Sequence, residues 1–199
     1  MQMNKQNNTL VLSASLLIAA AAFTRLFPHA PNFTAVGAMA IFGGSVIKDK
    51  KLAFLLPLGA LLLSDVCLQL LGQVIRLDWI SKGFYGTTQF FVYAAFLIIT
   101  ALATFIQKRS VGNIALAAVW SGIIFFVLSN LGVWASSDFY PKSFAGLAAC
   151  FAAAIPFYKN EFFGNFVLNS IMGNIFYSTL LFGAYTIMER KTSMQKVIA

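Results

Sequence analysis

Residues 52–71 read LAFLLPLGALLLSDVCLQLL, an uninterrupted apolar run with one charged side chain, Asp65. A helix rises about 1.5 Å per residue, so about 20 residues reach across the ~30 Å hydrocarbon core of a bilayer. A run of this length and composition predicts a transmembrane helix.

The same pattern extends over the whole chain of 199 residues. Hydrophobic residues make up 59% of the sequence and charged residues only 10%, against about 25% charged in a soluble domain. Polar or proline-containing breaks separate apolar segments at roughly 9–27, 33–47, 52–71, 89–107, 113–135, 145–158 and 163–188. We therefore predict an all-α, polytopic integral membrane protein, with residues 1–199 forming a single transmembrane domain.

The lengths of the segments indicate which of them cross the membrane. The first, third, fourth, fifth and seventh are long enough, whereas 33–47 and 145–158 are each either a short span or a re-entrant piece. Lys5, the apolar run and Ala20–Ala22 also loosely resemble a cleavable secretory signal. Cleavage there would leave several other spans, so the class of protein does not depend on it.

The distribution of positive charge chooses among the topologies. The net charge is +8, but the bases lie in small groups between apolar runs, which is typical of a membrane protein and not of a nucleic-acid binder. Suppose that the N-terminus is cytoplasmic, that 33–47 spans and that 145–158 does not. The inside then holds Lys5, Lys48, Lys50, Lys51, Lys108, Arg109, Arg190, Lys191 and Lys196, and the outside holds Arg25, Arg76, Lys82, Lys142 and Lys159.

The alternatives, with all seven segments spanning or with 145–158 as the only spanning short segment, divide these bases evenly. Cytoplasmic loops carry an excess of Lys and Arg. We therefore predict about six transmembrane helices, both termini in the cytoplasm, and a short re-entrant or capping helix at 145–158 on the outer side.

Signatures of catalysis and of metal binding are missing from the sequence. It has no Gly-x-Ser-x-Gly, no His-Glu-x-x-His and no P-loop, so we predict no enzyme activity and no ATP hydrolysis by the chain itself. Cys67 and Cys150 lie apart in apolar stretches, and His29 is the only histidine. We expect no metal site and no cofactor.

Asp65 and Arg25 are the most informative polar residues. A charge within an apolar helix costs at least a few kcal/mol unless it is paired or hydrated. Asp65 lies about two thirds of the way along the third segment, and Arg25 lies near the outer end of the first, at a comparable depth. They form either a structural ion pair that holds two helices together or part of a ligand cavity.

Other polar and aromatic residues concentrate in the same outer half. Taken one at a time, the asparagines are explained by hydrogen bonds between helices, and the aromatic residues by a belt at the membrane interface. As a set they suggest a pocket between loops 28–34, 72–88 and 136–160 and the outer ends of the third to sixth spans. The candidate substrate-binding residues are Arg25, His29, Asn32, Asp65, Tyr93, Asn130, Trp134, Tyr140 and Asn169, with Asn165 and Asn174 on the same last helix.

Small residues recur at helical spacing in the first three segments. Such spacing lets membrane helices approach closely, either inside one bundle or against a partner protein. The candidate partner-docking residues are Ser15, Ala19, Gly37, Ala40, Gly44 and Ala60.

Residues Arg25–Gly44, RLFPHAPNFTAVGAMAIFGG, resemble the N-terminal signature of bacterial membrane proteins related to ECF-transporter S components. The resemblance extends to Leu63–Asp65, Phe90–Tyr93, Ser129–Trp134 with Tyr140-Pro141, and Ala152–Phe157. It implies six helices in the bacterial cell membrane, both termini in the cytoplasm, and an outward pocket for a vitamin-like molecule. It also implies docking, through small residues of the first helices, to a transmembrane coupling subunit with ATPases.

One related group resembles solitary cobalamin importers, in which a cysteine before the Phe-Val-Tyr motif can contact the metal. The corresponding region here, Tyr85–Phe90, contains no cysteine, which argues against cysteine–cobalt ligation. The rival hypothesis is a non-transporting scaffold or assembly factor that acts through its small-residue face.

Overall fold

The computed structural model describes residues 2–75, 83–84, 86–154 and 166–198, and all of its regular elements are helical. The α-helices are α1 (Gln2–Phe23), α2 (Val36–Val46), α3 (Lys50–Ile75), α4 (Thr88–Ala103), α5 (Val111–Ser136), α6 (Phe144–Ala154) and α7 (Phe166–Ile198). A 3-10 turn, Thr24–Leu26, follows α1. Since these ranges contain no strand, the all-α prediction is confirmed for the described part of the chain.

Within the described residues, four helical stretches are long and apolar enough to cross a membrane: Asn8–Leu26, Lys50–Val74, Val111–Ser136 and Val167–Met194. Only 22–33% of the residues in their most apolar parts are buried, so most of each helix faces outward. The outward side chains are large and apolar; Leu16, Leu63 and Leu116 are 61%, 64% and 65% exposed. Apolar surface on this scale marks contact with lipid or another protein, as in a membrane-embedded helical protein.

The segment predicted at 89–107 forms a shorter helix than expected. α4 ends at Ala103, after 16 residues or about 24 Å, which is less than the thickness of the hydrocarbon core. The Thr104 hydroxyl donates to Ala101 O at 2.8 Å. The helix then ends in turns in which the N–H groups of Phe105 and Ile106 bond to carbonyls three residues back. The 33–47 and 145–158 segments also contain short helices of 11 residues, α2 and α6, and positions 155–158 lie outside the described residues.

Helix α2 lies at the centre of the bundle and contacts α1, α3, α4, α5 and α7. Its residues Val36–Gly44 are all buried. Small residues make this packing possible: a Cβ added to Gly44 would come within 2.4 Å of the Thr100 carbonyl oxygen, and one added to Gly43 within 2.3 Å of Pro57 Cγ. Close backbone approach of this kind is how membrane helices gain van der Waals contact.

Contacts between helix ends establish the direction of each helix. One end of the bundle, here named the loop end, contains residues 24–35 and the C-terminal parts of α3 and α5. The N-termini of α4 and α7 lie at the same end. Gly44 packs on Ala103, and Arg109 pairs with Glu189, at the opposite end. This second end is named the basic end because it carries Lys48, Lys50, Lys51, Lys108, Arg109, Arg190 and Lys191.

Consequently α1 to α5 and α7 alternate in direction along the chain, with the N-terminus of α1 and the C-terminus of α7 toward the basic end. Helix α6 packs antiparallel on α5, since Cys150 contacts the carbonyl of Asn130 and Phe151 contacts Phe126. It thus descends from the loop end along the outside of the bundle.

Candidate functional site

A buried polar cluster, composed of Arg25, Ser64, Asp65, Gln89 and Tyr93, lies toward the loop end between the turn after α1 and helices α3 and α4. The Asp65 side chain is completely buried, and that of Arg25 is 12% exposed. Arg25 Nη1 lies 2.6 Å from Asp65 Oδ1. The two atoms form an ion pair, but their alignment is not that of a hydrogen bond. The pairing that the sequence suggested for these two residues is therefore present.

Helix α4 supplies the other partners of the carboxylate. Gln89 and Tyr93 are four residues apart, so their side chains emerge from the same face of the helix. Gln89 Nε2 and Tyr93 Oη each donate to Asp65 Oδ2 at 2.8 Å. On the far side, Arg25 Nη1 also donates to Ser64 Oγ, which in turn donates to Leu61 O at 2.7 Å.

These contacts explain how an ionised aspartate is tolerated in an apolar helix. Both carboxylate oxygens face donors, and the positive charge of Arg25 compensates the negative charge of Asp65. A buried pair offsets its desolvation cost only when such further hydrogen bonds are made. The cluster thereby connects three elements that are distant in sequence: the turn after α1, α3 and α4.

Two acceptor atoms of the cluster receive no hydrogen bond in the described ranges: Asp65 Oδ1, which forms the ion pair with Arg25, and Gln89 Oε1. Because an ionised carboxylate only accepts hydrogen bonds, Gln89 must point its amide NH₂ at Asp65, and its Oε1 then faces away. Gln89 Oε1 is buried and meets no donor in the described ranges. Leaving a buried acceptor unsatisfied costs about 1–3 kcal/mol, so this atom is a natural point for a ligand or a water molecule to bind.

Gly83, in the α3–α4 connection, lies directly against α3 at the level of Asp65. Gly83 is buried there, and a Cβ on it would come within 1.9 Å of Asp65 O. Only glycine permits this approach of one backbone to another.

A second polar group lies where the loop after α1 meets α7. Asn169 is completely buried and its Nδ2 donates to Pro31 O at 2.9 Å. Asn32 adopts a positive φ of 61°, a conformation that asparagine tolerates better than most residues. A cavity of about 10 Å³ beside Asn32 and Ser170 matches the space that one water molecule needs.

The remaining candidates make local contacts. Trp134 Nε1 donates to Pro141 O at 2.9 Å, and Lys142 donates to Trp134 O, which together brace the α5–α6 connection. Asn130 Nδ2 donates to Phe126 O of its own helix at 2.7 Å, and His29 Nδ1 lies 3.0 Å from the carbonyl of Ala30.

The structure therefore unites three of the predicted site residues, Arg25, Asp65 and Tyr93, and places Asn32 and Asn169 in the second polar group. Asn130, Trp134 and Tyr140 belong to α5 and the connection to α6. Binding by any of them stays a prediction. Asn165, Tyr85 and positions 76–82 of the 72–88 loop, together with the end of the 145–158 segment, lie outside the described residues.

Sequence reasoning missed Ser64 and Gln89 as members of the cluster. Gln89 carried a usable signal, since it is an amide one helical turn before Tyr93 in an otherwise apolar segment. Ser64 is adjacent to Asp65 but carried no comparable signal.

The small residues of α2 have an internal role. Gly37, Ala40 and Gly44 are buried, which agrees with the first of the two alternatives, packing inside one bundle; partner docking by the small-residue candidates stays a prediction. The physical reason is that five helices surround α2; a Cβ on Gly37, for example, would overlap the Asn174 side chain. Of the other docking candidates, Ser15 and Ala60 are half-buried and Ala19 is exposed.

Helix lengths, outward apolar faces and a buried ion pair together define a helical membrane protein with a polar cluster inside its bundle. The chain belongs to DUF6580, a family of unknown function, whose sequence profile matches residues 4–196. No curated protein and no solved structure matches the chain significantly.

Proposed function

We propose that this protein is the substrate-binding subunit of an uptake system for a vitamin or related micronutrient in the bacterial cell membrane. The chain would cross the membrane six times through α1 to α5 and α7, with both termini and the basic end in the cytoplasm. The loop end would then face outward and receive the substrate. Release inward would use a transmembrane coupling subunit with ATPases, or a movement of the whole bundle.

Two observations support six crossings despite the short α2 and α4. The six helices alternate in direction, and the basic residues gather at one end, which the positive-inside rule assigns to the cytoplasm. Helix α2 is only about 16 Å long, but it is enclosed by other helices. Non-helical backbone at membrane depth is tolerated where protein surrounds it, so the turns that flank α2 can complete a crossing.

The observation that carries the proposal is the buried polar cluster with its free acceptor, Gln89 Oε1. Ionisable residues inside membrane helices commonly mark substrate pathways. Asp65 already faces Arg25, Gln89 and Tyr93, and among the described residues Arg25 makes its contacts through Nη1. A ligand would therefore meet Gln89 Oε1 and the remaining N–H groups of Arg25. One acceptor beside several donors suits a neutral or anionic molecule that carries its own N–H or O–H group.

The test begins with extraction of the membrane protein in mild detergent and mass spectrometry of co-purifying small molecules. Binding of the ligand so identified is then measured for Gln89→Met and Tyr93→Phe, which leave the Arg25–Asp65 pair intact. Each variant should weaken binding about 3- to 10-fold, since each loses a buried hydrogen-bonding group. Arg25→Ala and Asp65→Asn should weaken it as well.

Thr100→Val is the matched control for these variants. Thr100 is also a completely buried polar residue of α4, but its hydroxyl donates at 2.9 Å to Phe96 O of the same helix, toward the basic end. Its replacement should leave affinity unchanged. A preparation that carries no ligand but retains a stoichiometric membrane partner would overturn the proposal and favour the scaffold hypothesis.

A further inference from the structure

Helices α5 and α7 leave a groove between them that begins at the basic end. Its volume is about 570 Å³, within the range of sites that hold small molecules. It extends along α7 from Arg190 to Ile175, or about 22 Å. None of the binding residues considered above lies in it.

The groove is apolar along most of this length. Ile114, Ala118 and Phe182 contribute hydrocarbon. Thr179 and Thr186 also line it, but their hydroxyls donate to Ile175 O at 2.8 Å and Phe182 O at 2.7 Å in the same helix. Ser178 lines the groove as well, and its buried Oγ has no hydrogen-bond partner among the described residues. Of these three hydroxyls, only that of Ser178 is left to bond to an occupant of the otherwise apolar walls.

The sequence keeps the groove open through small residues on both helices. Ala115 and Ala118 line the α5 side, and Gly183 lines the α7 side. A Cβ added to Gly183 would meet nothing within 4 Å. The two helices are therefore separated at Gly183. They are in close contact at Gly122, nearer the middle of the bundle, where a Cβ would meet Ile171 at 2.7 Å.

Charge is confined to the mouth of the groove. Arg109 and Arg190 are both there, accompanied by Glu189, which lies 3.4 Å from Arg109. Both side chains of that pair are about one third exposed, so the pair is weak and its charges remain available to an occupant. The Arg109 guanidinium lies 5.6 Å from the ring centre of Tyr185, which helps to hold it at the mouth.

The mouth thus has a net positive charge, and the N-terminus of α5, with its positive dipole end, begins at the same place at Val111. A positive mouth over an apolar slot is complementary to a molecule with an anionic head and a hydrocarbon tail. The slot is long enough for a chain that spans one leaflet, whose hydrocarbon half-thickness is about 15 Å. A free soluble anion would leave the apolar slot unused.

We propose that an anionic phospholipid of the cytoplasmic leaflet binds in the α5–α7 groove. Its phosphate is held by Arg109 and Arg190, and one acyl chain lies between α5 and α7 as far as Ala118 and Ile175. Basic pockets between transmembrane helices on the cytoplasmic side recognise lipid head groups in this way. The lipid fills a groove in the bundle and stabilises the contact between α5 and α7.

Native mass spectrometry of the full chain, released from nanodiscs of equal phosphatidylglycerol and phosphatidylcholine, tests this proposal. The wild type should retain phosphatidylglycerol preferentially, and each arginine lost in Arg109→Gln and Arg190→Gln should reduce that preference about fivefold. Glu189→Gln should increase it, because it removes the acid that competes for Arg109. Gly183→Leu should reduce retention of both lipids by filling the slot.

Lys48→Gln with Lys50→Gln is the matched control, since it removes two charges from the basic end outside the groove. Equal loss of preference in this control, or unchanged preference in the doubly substituted arginine variant, would overturn the proposal. Should Gly183→Leu fail to fold, the opposite effects expected of Glu189→Gln and Arg109→Gln still decide it. Lipid retention is measured without the substrate, so this outcome is separate from that of the proposed function.

Discussion

Asp65→Asn tests whether the buried polar cluster stabilises the bundle as an ion pair. The substitution leaves the Arg25 guanidinium, only 12% exposed, without a negative partner. It also places an NH₂ group where the carboxylate is paired with Arg25 on one side and accepts hydrogen bonds from Gln89 and Tyr93 on the other. Removing one partner of a buried pair costs about 3–5 kcal/mol, and we expect a loss of that size.

Arg25→Gln combined with Asp65→Asn should recover much of this loss. With both charges gone, no uncompensated ion remains, and replacement of a whole buried pair is often close to neutral. We expect the double variant to lie within about 2 kcal/mol of the wild type, which corresponds to strong coupling between the two positions. The assay is reversible unfolding in mixed micelles, followed by circular dichroism as the fraction of denaturing detergent is raised.

Glu189→Gln is the control because it breaks the other ion pair, Arg109–Glu189, whose side chains are 35% and 38% exposed. An exposed pair contributes at most about 1 kcal/mol. If Asp65→Asn cost no more than Glu189→Gln, or if the two cluster substitutions were simply additive, the ion pair would not be a stabilising contact of the folded bundle and the reasoning would be refuted.

Two further predictions concern packing and topology. Gly44→Ala should destabilise the bundle by about 1–3 kcal/mol in the same unfolding assay, because its Cβ would meet Thr100 O at 2.4 Å. Gly59→Ala is the control: its Cβ would meet nothing within 4 Å, so stability should change by less than about 1 kcal/mol. Equal effects would contradict the central position of α2. In a cysteine-free background, single cysteines at Lys191 and Asp138 should react with an impermeant thiol reagent from opposite sides of the membrane, Asp138→Cys from outside; labelling from the same side would contradict the proposed orientation.

Composition and apolar length were sufficient to predict the helical class and most helix positions. The 52–71 run lies within α3, and the 113–135 run lies within α5, because most residues in each run favour a bilayer over water. The need for Asp65 to have a positive partner also followed from the cost of a charge in hydrocarbon, and Arg25 was the available cation at a comparable depth.

Lengths and small-residue roles were less predictable. An apolar segment does not show where its helix stops, so the end of α4 at Ala103 depended on turn contacts of Thr104 that composition does not reveal. A small-residue stripe likewise does not show what it packs against. For α2 the neighbours proved to be helices of the same chain, which bury Gly37, Ala40 and Gly44.

The sequence by itself determined that the chain is suited to a membrane and carries few charges. The reason is that the free energy of transfer from water to hydrocarbon is a property of each side chain and adds along a segment. Only the tertiary structure decided that Gln89 shares the carboxylate of Asp65, that α2 is enclosed, and that α5 and α7 separate into a groove with Arg109 and Arg190 at its mouth. Each of these depends on side chains from distant segments meeting in space, and such meetings are governed by shape and packing as much as by polarity.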